Sequence, residues 1–150
     1  MKYLLTLLLL TFTAQAQIIQ TNDVDEFTGM ERIVSSWESV NQDSFSGKVQ
    51  SAVAYLDGEY YMLIQVLSND SWQILGANEA LFLVDEKRLS YKIHEMDSEV
   101  ESGYILESYI IEVDADKFFN ASHVKLRING IVYELSYKAI NSFKLVRDNI

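Results

Sequence analysis

The chain has 150 residues and a formal net charge of −10, a balance that argues against binding to nucleic acid or anionic membranes, since both need a basic footprint. Neither cysteine nor proline occurs. Disulfides, thiolate chemistry, cis-proline switches and polyproline ligand motifs are therefore excluded, and stability must come from packing.

Lys2 precedes an apolar run from Tyr3 to Phe12, and Ala14-Gln15-Ala16 follows. A basic start, a short apolar run and an A-x-A site make residues 1–16 a secretory signal peptide cut after Ala16. The run is well short of the roughly 20 apolar residues that cross a bilayer, so no membrane span is expected once it is removed. The expected product is a single exported domain, residues 17–150, periplasmic or secreted and long enough to bury a hydrophobic core.

Gln17 to Asp23 reads as a polar N-terminal arm, and Arg32 to Glu38, β-branched and aromatic, as a first strand. Asn41 to Lys48 reads as a loop. Val49–Leu56 and Glu59–Val66 form a hairpin about Asp57-Gly58, a pair suited to a turn with two positive φ angles. That register sets Tyr55 opposite Tyr60, Val53 opposite Met62, Ala54 opposite Tyr61 and Ala52 opposite Leu63. Both faces are then largely apolar, which places this hairpin centrally.

Trp72–Leu75 is expected as a short strand. Ala80–Val84 turns through Asp85-Glu86-Lys87-Arg88 and returns as Leu89–His94, with Val84 meeting Leu89, Phe82 meeting Tyr91 and Ala80 meeting Ile93. Asp97 to Gly103 reads as an acidic loop and Tyr104 to Val113 as a long strand. Asp114 is expected to cap a short helix over residues 114–120 by accepting free backbone N–H groups of its first turn.

Val124–Leu135 carries the strongest local signal, two alternating runs joined by Asn129-Gly130. Ile128 then faces Ile131, Leu126 faces Tyr133 and Val124 faces Leu135, all on one face. Lys125 faces Glu134 on the other, with His123 and Arg127 beside them. Residues 139–150 fit either a helix with Ile140, Phe143 and Val146 inward or a strand. Frequent turns and about nine short strands, without βαβ spacing, predict a mainly β fold, an antiparallel meander closing as a β-sandwich or barrel.

His94 and His123 are the only histidines; without nearby ligand spacing they predict no zinc site. Asn22–Glu26 and Asp97–Glu101 lack the order of a calcium loop and read as solvated acidic segments. No G-x-S-x-G elbow, S-x-x-K motif or phosphate-binding loop is present. Glu107 and Glu112 fall on opposite strand faces by parity, so they cannot act as a carboxylate pair, and each is expected to face solvent. No catalytic residue, metal or cofactor is thus predicted. Tyrosine remains: it combines area with a polar handle, and Tyr55, Tyr60 and Tyr61 beside the Asp57-Gly58 turn form the predicted recognition patch.

A signal ending in Ala14-Gln15-Ala16-Gln17, then Asp25 to Gly29, Arg32, Ser36-Trp37-Glu38, Asp57 to Tyr61 and the segment Asp114 to Leu135, together resemble small uncharacterised exported proteins of Gram-negative bacteria. The resemblance implies a periplasmic or secreted β-rich domain and carries no activity or site residues. Two functions compete: an exported non-enzymatic β-sandwich domain binding a protein or surface glycan, and a lipocalin-like barrel carrying a lipid or other small apolar ligand. A filled interior or an open apolar cavity separates them.

Overall fold

All three hairpins form, and their alternation turns one apolar side of each strand toward a shared interior. The computed structural model describes residues 18–24, 31–42, 47–68, 77–101, 104–128 and 130–150. Its strands are β1 (Ile19–Val24), β2 (Glu31–Ser35), β3 (Glu38–Gln42), β4 (Gly47–Leu56), β5 (Glu59–Ser68), β6 (Glu79–Val84), β7 (Lys87–Glu101), β8 (Tyr104–Glu112), β9 (Val124–Ile128) and β10 (Ile131–Leu135). A 3-10 turn (Ala115–Lys117) follows β8, and α1 (Tyr137–Arg147) follows β10. The expected Trp72–Leu75 strand lies outside the described residues.

The order β4-β3-β10-β9-β6-β7-β8-β5, with β5 pairing back onto β4, closes one sheet into an eight-stranded antiparallel barrel. The mainly β class and the barrel alternative are thus what the chain adopts. Two connections depart from a simple meander: β5 lies beside β8, and β9 beside β6. Strands β5 to β8 therefore make a Greek key, in which β5 reaches β6 across the hairpin-linked β7 and β8.

Two hairpins keep their expected registers. Tyr55 pairs with Tyr60 and Val53 with Met62, across a turn with φ of 46° at Asp57 and 100° at Gly58. Leu126 pairs with Tyr133 and Lys125 with Glu134. The third hairpin differs. Val84 pairs with Lys87, Phe82 with Leu89 and Ala80 with Tyr91, because Asp85 and Glu86 alone make the turn, at φ of 43° and 73°. The neighbouring chain secures this turn. The Asp85 carboxylate accepts hydrogen bonds from the Ser122 and His123 backbone N–H groups at 3.0 and 2.8 Å, and the Asp85 N–H donates to the His123 carbonyl. A two-residue shift preserves parity, so the inward and outward faces stay as expected.

Other elements also differ from expectation. The N-terminal arm is strand β1, paired with β2. The first strand is broken at Ser36-Trp37: β2 pairs with β4 at Ala54–Leu56 and β3 with the same strand at Gln50-Ser51. The buried Ser35 hydroxyl bridges the break, accepting from the Val53 N–H at 3.0 Å and donating to the Ser36 carbonyl at 3.1 Å. The expected loop from residue 41 to 48 is shorter, since β3 reaches Gln42 and β4 starts at Gly47. Residues 97–101 continue β7, held by pairing with β8. Asp114 makes no side-chain cap; its carboxylate lies 3.6 Å from Lys117 Nζ.

The C-terminal segment is helical. Ser136 caps α1 by accepting from the Ala139 N–H at 3.2 Å, and Ala139, Ile140, Phe143 and Val146 are buried on one face. Phe143 stacks on Phe118 with ring centroids 4.7 Å apart, and Phe118 meets Phe82 edge-on at 5.4 Å. Residues from the helix, the segment after β8 and the far barrel wall thereby join one core. Among the described residues, no helix is long and apolar enough to cross a membrane.

Candidate binding surface

The predicted tyrosine patch divides between the two faces of its hairpin. Tyr55 and Tyr60 have inward parity and pack against the core, their rings edge-on at 5.2 Å, and Tyr60 meets Phe119 edge-on at 5.7 Å. Arg147 lies over the Phe119 ring at 4.8 Å. Tyr61 points outward beside His94, with centroids 6.2 Å apart. Burial, and then nearby Tyr55, raises the Tyr60 pKa; burial, and then Glu112, raises that of Tyr61. Cross-strand packing accounts for Tyr55 and Tyr60, so only Tyr61 faces outward.

A polar cluster lies inside the barrel, where the sequence reading expected none. Glu107 is 5 % exposed, and Tyr109 and Tyr133 are buried beside it. This corrects the solvent-facing expectation for Glu107, whereas Glu112 is exposed as expected. The Tyr109 hydroxyl donates to Glu107 Oε2 at 3.4 Å, a long bond, and the buried Tyr133 hydroxyl has no hydrogen-bond partner. Burial pushes the Glu107 carboxyl above its ordinary value, only partly offset by Tyr109. Burial and the adjacent Glu107 push both tyrosine hydroxyls strongly upward.

The core is rich in large buried side chains. Phe82, Phe118, Phe143, Tyr109 and Tyr133 are among the largest fully buried side chains, together with Met62 and Ile64.

Outside the barrel the non-local pairing of β6 with β9 builds a groove of about 540 Å³. On its outward face Leu83 stands between Arg88 of β7 and Lys125 of β9. In the next row Leu81 stands between Ser90 and Arg127, and Arg127 pairs with Val132 of β10. Arg88, Lys125 and Arg127 are exposed, and Leu83 is 39 % exposed. Two strand spacings put Arg88 and Lys125 about 10 Å apart across Leu83, and the pleat puts Lys125 and Arg127 about 7 Å apart. Lys125 and Glu134 share a register position but form no ion pair among the described residues, and Glu79 is hydrogen-bonded to Ser90. Three cations around an apolar floor thus stand together on a chain of net charge −10. Like charges so close oppose folding and attract acidic ligands.

The local sequence places Lys125 and Arg127 outward but gives no sign of Leu81 and Leu83 alongside them, because that juxtaposition depends on the β6–β9 pairing. Among the described residues, no group of three or more His, Cys, Asp or Glu side chains could hold a metal ion. Compared with protein-family models, curated proteins and solved structures, the chain matches none.

Proposed function

We propose that the protein is an exported, non-enzymatic binding domain, periplasmic or secreted, that engages an acidic partner protein through the outer face of β6, β9 and β10. The observation that carries this reading is the groove of Leu81, Leu83 and Val132 edged by Arg88, Lys125 and Arg127. Apolar floor supplies contact area, while the cations select an acidic partner and speed encounter with it. The large side chains fully buried in the core support this reading over the carrier.

The test is capture from periplasmic extract by immobilised protein, comparing wild type, Lys125→Glu/Arg127→Glu, and Tyr60→Ala/Tyr61→Ala. The charge-reversed variant is expected to keep its thermal transition and to lose about tenfold in affinity for the captured partner, about 1.4 kcal/mol. Equal recovery by wild type and that variant sinks the groove. Loss with the tyrosine variant alone, reproduced by Tyr61→Ala with an unchanged thermal transition, moves the surface to Tyr61.

A further inference from the structure

The break between β2 and β3 puts a tryptophan into a surface pocket. Trp37 is half-buried, and it belongs neither to the core nor to the described side chains packed against it. It lines a pocket of about 500 Å³ between the start of β1, the Ser36-Trp37 break and the first turn of α1, which shares no residue with the β6–β9 groove. Hydrogen bonds hold the break in place. The Ser36 N–H donates to the Ile18 carbonyl at 2.8 Å, and the Ser36 hydroxyl accepts from the Ile18 N–H at 3.4 Å and donates to Glu38 Oε1 at 3.1 Å. Apart from Trp37 and Ile18, the residues lining the pocket are polar. Gln20 of β1 and Ser39 of β3 are exposed there, and an amide and a hydroxyl each supply both donors and acceptors. Glu38 and Lys138 bring one charge of each sign, so the lining carries no net charge.

We infer that this pocket binds a neutral saccharide, whose ring lies against the Trp37 indole while its hydroxyls bond to Gln20, Glu38 and Ser39. Three features point to that chemistry. An indole offers a flat apolar surface that suits the C–H face of a pyranose. Sugar hydroxyls both donate and accept, which matches a lining of amide, hydroxyl and carboxylate. Charges that cancel favour a neutral ligand over an acidic or a basic one. The volume lies within the range of about 300 to 1,000 Å³ found for small-molecule sites, and the bonds that already fix Ser36 and Glu38 lower the cost of ordering the site on binding.

Saturation-transfer difference NMR of the purified protein with glucose, galactose, mannose, N-acetylglucosamine, cellobiose and maltose is expected to show binding of at least one, with a dissociation constant of about 1 mM or below. Trp37→Ala should weaken that binding about tenfold, and Gln20→Ala/Ser39→Ala, at two exposed positions, about fivefold. If Trp37→Ala lowers the thermal transition, the Gln20→Ala/Ser39→Ala variant decides. Lys125→Glu/Arg127→Glu is expected to bind the saccharide as wild type does, so this site and the β6–β9 groove stand or fall separately. A wild type that binds none of the six sugars overturns the inference, as does saccharide binding that neither pocket variant weakens. Tighter binding of glucuronate than of all six overturns the assignment to a neutral ligand.

Discussion

With 5 % of its surface exposed, Glu107 faces Tyr109 inside the barrel, and its ionised form is poorly supported there. Its folded pKa lies above the reference value of 4.5. The protonated carboxyl is thus favoured by folding, and the stability it contributes is fully present below about pH 4.5 and lost as pH rises through the folded value. Glu107→Gln removes that loss. Urea midpoints of variant and wild type between pH 4 and 8 should diverge as pH rises, the variant gaining about 1 kcal/mol at neutral pH. A difference independent of pH would contradict the burial of the charge. The alternation of residues 104–113 correctly separates Glu107 from Glu112. Both faces of that stretch hold apolar residues, however, so parity alone cannot say which carboxylate turns inward.

At the level of elements, the Asp85-Glu86 turn marks the limit of reading hairpins by turn chemistry. Asp57-Gly58 is legible because glycine takes positive φ cheaply; Glu86 takes a φ of 73°, a conformation that long side chains rarely adopt. Bonds from Ser122 and His123 to Asp85, some 37 residues away in sequence, hold it there. Glu86→Gly should therefore relieve strain and raise stability by up to about 1 kcal/mol, measurable as an increased thermal midpoint. A decrease would mean that the turn's conformation is not strained. The broken β2–β3 strand was illegible for a related reason, since Ser35 substitutes for missing ladder bonds through a contact with Val53 far along the chain.

Across the whole molecule, closure depends on contacts that no local pattern encodes. The strand periodicities gave the inward faces, but the neighbours β5–β8 and β6–β9 are set by how the assembled sheet buries those faces, and the groove is a product of the second pairing. The C-terminal segment, compatible with helix or strand by pattern, becomes a helix because Phe143 finds Phe118 within the barrel. Phe143→Ala should cost about 3 to 5 kcal/mol and admit an apolar dye such as ANS into the space it leaves. If chemical denaturation shows a loss below about 1 kcal/mol, α1 contributes little to the core.

The pairing of β3 with β10, Val40 against Leu135 and Gln42 against Tyr133, also has a temporal meaning. This seam joins the first third of the chain to its last quarter, so the barrel cannot close during synthesis until the segment beyond residue 131 has emerged. Long-range pairing of this kind folds slowly, on a timescale of about milliseconds to seconds. A seam formed last leaves the barrel open until the two ends of the sheet have met.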